Sequence, residues 1–313
     1  MSTGAGVSTG VSAGVGVGVG VGTGLGAQRA WGADAPEDLR PLDWSWPAES
    51  GAAGAAGAAG VARRALVLVP THLAAGERVA TLVLLNGLGE ARQGPKAAAY
   101  AWRERYGLGE AYARLRRPPV ASVLPRHDLT SERAAEINAE LGARPFRGLV
   151  LVCPAVPDVW AAKGGVGPTL EALATFVAGP LLERVAREVP EARAGEGSVG
   201  IDGCSLGGFV ALEVALRRPG PWATVGVVQP AIGEAQAPRY AEGLAAGPRR
   251  PVHVESSRGD PFLGASRRLA AELSKRSVPC DLSISPGPHD QPFLREVGSL
   301  EMLLWHDRRL NPR

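Results

Sequence analysis

From residue 61 onward the sequence alternates short apolar runs with longer segments in which apolar residues recur every three or four positions. The runs predict strands and the longer segments predict helices. Strands that alternate with helices form a mostly parallel sheet with helices on both faces, so the pattern predicts the α/β class. The predicted strands are 65–70, 80–85, 148–153, 198–202, 223–228, 252–255 and 281–284, and the predicted helices are 96–115, 169–189, 207–217, 261–275 and 292–307.

The beginning of the chain has a different composition. Residues 1–28 carry no charged side chain, and residues 14–22 alternate glycine with valine, which disfavours a helix. Residues 51–60 repeat Gly-Ala-Ala, as flexible linkers do. We therefore predict a disordered low-complexity tail and linker over residues 1–60 and one folded domain over residues 61–313.

Two further segments have no clear place in this alternation. Residues 118–147 contain a Pro-Pro pair and a single helical stretch, and they lie where such folds often accept an insertion. We expect them to form an insertion or lid, or a wall of the binding pocket. Trp31, Trp44 and Trp46 precede the predicted domain, and packing against it is slightly favoured over chance.

Charge and cysteine content argue against several classes of protein. The net charge is only +3, and the arginine pairs are scattered, whereas a nucleic-acid surface needs a concentrated basic stripe. Three cysteines, Cys153, Cys204 and Cys280, without a C-x-x-C spacing argue against a disulfide framework or a zinc site. The first basic residue is Arg29, too late for an ordinary signal peptide. We expect a cytoplasmic protein that binds neither nucleic acid nor membrane, although secretion through an atypical N-terminal segment stays open.

One motif carries reaction chemistry. Gly203-Cys204-Ser205-Leu206-Gly207-Gly208 matches G-x-S-x-G and lies between a predicted strand and a predicted helix. A serine nucleophile at such a position sits on a sharp turn that needs small flanking residues, and the helix N-terminus points free N–H groups at the site. Ser205 is therefore the candidate nucleophile. Cys204 is a rival, but the preceding residue normally points away from the pocket.

A serine nucleophile needs a histidine base and a carboxylate that orients it, in the chain order serine, acid, histidine. His289 alone lies after Ser205 in a loop that follows a strand; the other histidines are His72, His127, His253 and His306. Asp260 follows the 252–255 strand and precedes His289, so it is the candidate acid. It also precedes a helix and could simply cap it. Glu234 and Asp290 are the alternative acids.

An oxyanion hole for this chemistry needs two backbone N–H groups. One is expected from Leu206, which follows the nucleophile. The other is expected from the loop Asn86-Gly87-Leu88-Gly89, where glycines allow an amide to turn into the pocket. We assign it to Leu88, to within one residue.

The sequence resembles the esterase branch of the α/β-hydrolases that contains the esterase D-like and feruloyl-esterase-like enzymes. The resemblance extends from about residue 65 to residue 307. It rests on the motif at residues 203–208, called the nucleophile elbow, with the helix that follows it. It also rests on Leu84-Leu85-Asn86-Gly87, on Gly259-Asp260-Pro261 and on Pro288-His289-Asp290. Asn86 is a departure, because these enzymes usually have His-Gly there.

The resemblance implies the α/β-hydrolase fold and hydrolysis of a carboxylic ester or thioester without a cofactor or metal. We predict a serine esterase that acts on a small-molecule ester through an acyl-enzyme on Ser205. Two alternatives stay open: acyl transfer with the same three residues, and an inactive binding module.

Overall fold

The computed structural model describes residues 38–47 and 63–312. Within these residues, nine strands form one sheet in the order β1-β2-β4-β3-β6-β7-β8-β9, with the short β5 beside β3. The strands are β1 Leu39–Trp46, β2 Arg63–Pro70, β3 Val79–Leu85, β4 Val150–Pro154, β5 Ala192–Arg193, β6 Val199–Gly203, β7 Trp222–Val228, β8 Val252–Gly259 and β9 Cys280–Pro288. All pairings from β4 to β9 are parallel, and β2 is antiparallel to both of its neighbours.

Helices cover both faces of the sheet. They are α1 Leu88–Ala91, α2 Pro95–Glu104, α3 Leu108–Arg116, α4 Ser131–Ala143, α5 Val166–Phe176, α6 Leu182–Glu188, α7 Leu206–Arg217, α8 Ala237–Ala246, α9 Leu263–Lys275, α10 Gln291–Phe293 and α11 Ser299–Leu310. Alternate residues of β3 belong to two separate buried clusters, one with α5 to α9 and one with α2, α3, α4 and α11. The predicted mostly parallel sheet with helices on both faces is confirmed.

The predicted boundary at residue 61 is too late, because β1 lies inside the predicted tail. β1 pairs antiparallel with β2 from Leu39 opposite Pro70 to Trp46 opposite Arg63. It is an edge strand, where a proline such as Pro41 is tolerated. Trp44 is buried, and Trp46 packs edge-on against Phe176, so both tryptophans pack on the domain. Trp31 and most of the predicted tail and linker lie outside the described residues.

Two helical segments differ from the prediction. The segment 96–115 is two helices, because Gly107 adopts a left-handed conformation with φ of 67° between them. A side chain at Gly107 would meet Arg295 at 2.9 Å, so this turn is fixed by packing that the local sequence does not reveal. Helix α8 was not predicted from the sequence at all.

The segment 118–147 contributes partly to the core. Ile137 and Leu141 of α4 are buried in the same cluster as α11. The loop before α4 reaches the turn after β9, where Arg126 Nη1 donates to Asp290 Oδ2 at 2.6 Å. A role of this loop as a lid or pocket wall stays a prediction.

No helix of the described residues has the length and hydropathy needed to cross a membrane.

Buried His253 on β8 predicts a loss of stability in acid. Burial lowers the pKa of His253 to about 4, and its ring stacks on Trp305 with centroids 5.1 Å apart. The unfolded pKa is about 6.5, so the neutral ring favours folding above that pH, and this contribution is lost as the pH falls towards 4. The free energy of unfolding of the parent protein should fall as the pH is lowered from 7 to 4.5. We expect the fall in His253→Phe to be smaller than the fall in the parent protein by about 2 kcal/mol. Urea unfolding at both pH values measures this, and equal losses in the two proteins would refute it.

Candidate active site

Ser205 occupies the sharp turn between β6 and α7. Its φ is 55° and its ψ is −116°, a conformation that costs on the order of 1–3 kcal/mol for a non-glycine residue. Hydrogen bonds from neighbouring segments hold this turn. Ser205 N–H donates to Val228 O at 2.9 Å, and Ser205 O accepts from Ala231 N at 2.9 Å. The end of β7 thus fixes the position of the nucleophile.

The glycines of the motif are required by contact between strand and helix. A Cβ at Gly203 would lie 2.4 Å from the backbone of Gly207, and a Cβ at Gly207 would lie 2.1 Å from Leu85 O. Neither position can accept a side chain without moving backbone. The helix α7 therefore approaches the end of β3 closely enough to share one site with the Asn86–Gly89 loop.

The structure brings Ser205, His289 and Asp260 into one hydrogen-bonded chain. His289 Nε2 lies 3.0 Å from Ser205 Oγ, and His289 Nδ1 lies 2.9 Å from Asp260 Oδ1. The Asp260 side chain is fully buried, while His289 is about one quarter exposed. Asp260 Oδ2 accepts from Ser256 Oγ at 2.6 Å, and Oδ1 accepts from Phe262 N at 3.0 Å. The carboxylate is therefore held in place by two donors besides His289.

The two alternative acids have other positions. Asp290 accepts from Phe293 N at 2.9 Å, which caps α10, and it pairs with Arg126. Glu234 lies in a short 3-10 turn after β7, and among the described residues its carboxylate forms no ion pair and accepts no hydrogen bond. Neither carboxylate hydrogen-bonds to His289.

Gln229 braces the turn that carries His289, a role that the sequence did not suggest. Its Nε2 donates to Ser257 Oγ at 2.8 Å and to Pro288 O at 3.0 Å. Gln229 is buried and has a φ of 47°, directly after β7. The sequence signal for this role was a polar residue at the carboxyl end of a central strand. The partners of Gln229 are 28 and 59 residues away in the chain, so the local sequence does not identify them.

The amides of Leu206 and Leu88 both stand at the first position of a helix. Such N–H groups lack a partner within their own helix. Among the described residues neither of these two amides donates a hydrogen bond. The neighbouring Gly87 N–H, in contrast, donates to Tyr106 Oη at 3.1 Å. Leu206 and Leu88 thus carry available donors on the two loops predicted to supply them.

A hydrogen-bond network, buried at Tyr106 and Glu90, fixes the loop that carries Leu88. Tyr106 Oη donates to Glu90, and Glu90 Oε1 accepts from Gln291 Nε2 at 2.9 Å. Burial raises the pKa of the Tyr106 phenol far above its ordinary value, so it stays a donor. The network connects the Leu88 loop to the residue two positions after His289.

Asn86, the departure from the esterase pattern, has a structural partner. It is fully buried, and its Oδ1 accepts from Val156 N at 2.9 Å while its Nδ2 donates to Gly87 O at 2.9 Å. An amide can satisfy a donor and an acceptor at once. Asn86 therefore joins the Leu88 loop to the segment that follows β4.

A second buried acid–histidine pair lies directly before the elbow. Asp202 Oδ2 lies 3.0 Å from His306 Nε2, and His306 Nδ1 lies 2.9 Å from Thr224 Oγ1. Burial raises the pKa of Asp202 and lowers the pKa of His306, so the pair is favoured without net charge. This pair joins α11 to the end of β6, and among the described residues neither side chain hydrogen-bonds to Ser205, Asp260 or His289.

A cavity of about 410 Å³ lies beside the Ser205–His289 pair. Its lining shares residues with the site: Phe262 packs edge-on against the His289 ring at 5.5 Å, and Ala231 donates to Ser205 O. Most of the lining residues are of apolar or aromatic type, and one is acidic. The lining residues are Trp160, Ala231, Ile232, Gly233, Glu234, Pro261, Phe262 and Ala265.

No family model matches the sequence, and no curated protein sequence matches it. Solved structures do match the architecture. A ferulic acid esterase superposes with a TM-score of 0.61 at 14% identity, covering 88% of this chain and all of that one. An S-formylglutathione hydrolase from Agrobacterium tumefaciens gives a TM-score of 0.54 at 15% identity, covering 88% of this chain and 98% of that one. A CE1 ferulic acid esterase from Anaeromyces mucronatus, in complex with ferulic acid, gives a TM-score of 0.54 at 12% identity, covering 90% of this chain and 94% of that one.

These similarities cover 88–90% of this chain and 94–100% of each matched structure. At 12–15% identity they establish the architecture and not the reaction. Together with the sheet order and the elbow between β6 and α7, they show that the chain has the α/β-hydrolase fold.

Proposed function

We propose that this protein is a serine esterase that cleaves a carboxylic ester or thioester of a small molecule through an acyl-enzyme on Ser205. The observation that carries the proposal is the continuous hydrogen-bonded chain from Ser205 Oγ through His289 to the buried Asp260. The names of the matched structures, ferulic acid esterases and an S-formylglutathione hydrolase, support ester hydrolysis as the reaction class.

The proposed reaction begins when Ser205 Oγ attacks the acyl carbonyl carbon while His289 Nε2 accepts its proton. The hydrogen bond from Nδ1–H to Asp260 holds the ring in the required tautomer and stabilises its protonated form. The Leu206 and Leu88 amides stabilise the negative oxygen that forms on the former carbonyl.

Collapse of the intermediate breaks the bond to the leaving alcohol or thiol, which takes the proton from His289. A water molecule then attacks the acyl-enzyme, with His289 again accepting a proton. Collapse of this second intermediate breaks the bond between the acyl carbon and Ser205 Oγ, which takes the proton back from His289, and the carboxylic acid is released.

Product analysis tests the proposal and separates it from acyl transfer. With p-nitrophenyl acetate, we expect acetate to form in equal amount to p-nitrophenol, with little change when an alcohol acceptor is added at millimolar concentration. Transfer would instead yield mainly the acetylated alcohol. Absence of turnover across a panel of acyl lengths would overturn the proposal in favour of a binding module.

The Leu88 amide can be removed without removing the helix. Proline is tolerated at the first position of a helix, and the preceding Gly87 has a ψ of 175°, which a following proline accepts. We expect Leu88→Pro to lower kcat by about 100-fold to 1000-fold, because one oxyanion donor is lost.

Leu88→Ala is the matched control, because it shortens the side chain but keeps the N–H group. Its kcat should stay within a few-fold of the parent protein. If the two variants lost kcat equally, the Leu88 side chain and not its amide would be the important group.

A further inference from the structure

Glu234 is an acidic residue for which the proposed mechanism has no use. It follows β7, one of the strands whose carboxyl ends form the site, but Asp260 is the residue that hydrogen-bonds to His289. Glu234 is one of the residues that line the 410 Å³ cavity beside the site, and its carboxylate lies against the first turn of α9, where a Cβ at Gly264 would be 2.2 Å from Oε1. Glu234 is exposed, and among the described residues no Arg, Lys or His forms an ion pair with it.

The loop that carries Glu234 is held in a fixed relation to the nucleophile. Ala231 N donates to Ser205 O at 2.9 Å, and Gly233 N donates to Gln236 Oε1 at 2.8 Å. Glu234 is three positions after Ala231, so their Cα atoms are at most roughly 11 Å apart. A substrate group of modest length attached to the acyl centre can therefore reach the carboxylate.

Two aromatic side chains, Trp160 and Phe262, also line the cavity. Trp160 is 46% exposed, which is unusual for so large an apolar side chain, and its ring lies 5.8 Å from that of Phe209. Phe262 forms the wall nearest His289. Aromatic faces attract cations through the ring quadrupole, and a nearby carboxylate adds a charge of the matching sign.

We propose that this cavity binds a positively charged substituent of the substrate, such as an alkylammonium group, between Trp160, Phe262 and Glu234. The inference rests on the proposed esterase function and assigns it a substrate class: esters that carry a cationic group on the acyl or the alcohol side. Anionic substituents are disfavoured there, because the Glu234 carboxylate repels them.

Two pairs of isosteric esters test the proposal by replacing a quaternary nitrogen with carbon. On the leaving-group side the pair is acetylthiocholine and 3,3-dimethylbutyl thioacetate. On the acyl side it is the p-nitrophenyl esters of 4-(trimethylammonio)butanoate and 5,5-dimethylhexanoate. The measured quantity is the ratio of kcat/KM for the cationic ester to kcat/KM for the neutral one, which cancels effects common to both.

We expect Glu234→Gln to lower this ratio by about fivefold in at least one pair, because the charge is removed and the shape is kept. Trp160→Leu should lower the same ratio, because the aromatic face is lost. Glu242→Gln on α8 is the matched control: it removes the same charge from an exposed carboxylate outside the cavity and should leave the ratio unchanged.

The pair that responds identifies the side of the ester that enters the cavity. Ratios that are unaffected by Glu234→Gln in both pairs would overturn the proposal, as would an equal fall with Glu242→Gln. If the protein hydrolyses no ester, the proposed function fails by itself. The cavity is then tested by saturation-transfer NMR with choline, whose signal should weaken in Glu234→Gln, and an unchanged signal would overturn the cation site as well.

Discussion

Replacing Ser205 with alanine is expected to lower kcat/KM for p-nitrophenyl acetate by about five orders of magnitude. The hydroxyl is the group that lies 3.0 Å from His289 Nε2, and no acyl-enzyme can form without it. The remaining rate would come from binding and from the oxyanion donors. Initial-rate measurements at high enzyme concentration give the residual activity, and circular dichroism checks that the variant is folded.

Cys204→Ala is the control for a thiol nucleophile. Cys204 is buried, and burial raises the pKa of its thiol above the ordinary range, so the reactive thiolate is disfavoured. We expect this variant to keep kcat/KM within about threefold of the parent protein. Near-parental activity in Ser205→Ala would contradict the assignment of Ser205 as the nucleophile. So would a large loss of activity in a folded Cys204→Ala variant.

Asp260→Asn has the second largest expected effect, a fall in kcat of about four orders of magnitude. An asparagine of the same shape can donate to His289 Nδ1, which favours the tautomer with its proton on Nε2. That tautomer cannot accept the Ser205 proton. The amide also carries no charge to stabilise the protonated ring.

The neighbouring carboxylate provides the matched control for Asp260. Asp290 is adjacent to His289 in sequence but caps α10 and pairs with Arg126. Asp290→Asn keeps the capping oxygen, and its effect on kcat should be at least a hundredfold smaller than that of Asp260→Asn. Comparable losses in the two variants would contradict the assignment of the acid.

The main features of the site were predictable because they depend on chain order and on strand ends. Ser205 lies in a motif that needs a strand before it and a helix after it, and both are present. Asp260 and His289 follow β8 and β9, whose carboxyl ends meet at one edge because the strands are parallel. The roles of these residues in catalysis are proposals, but their meeting at one place follows from the topology.

The supporting contacts were not predictable, because they join residues far apart in the chain. Gln229 bonds to Pro288 O, and Tyr106 bonds to Gly87 N–H, and neither pair has a local sequence signature. Edge strand β1 was missed because the compositions of its flanking segments suggested a tail. Trp44 and Trp46 were the only hint, since two large aromatic rings near a linker gain stability by packing on a domain.

The most direct test of the central claim is covalent labelling with a fluorophosphonate, followed by intact mass and peptide mapping. We predict one adduct per chain, on Ser205, that forms in the parent protein, is absent in Ser205→Ala and forms far more slowly in Asp260→Asn. The absence of an adduct in the parent protein, or its location on Cys204 or any other residue, would contradict the assignment of Ser205 as the activated nucleophile.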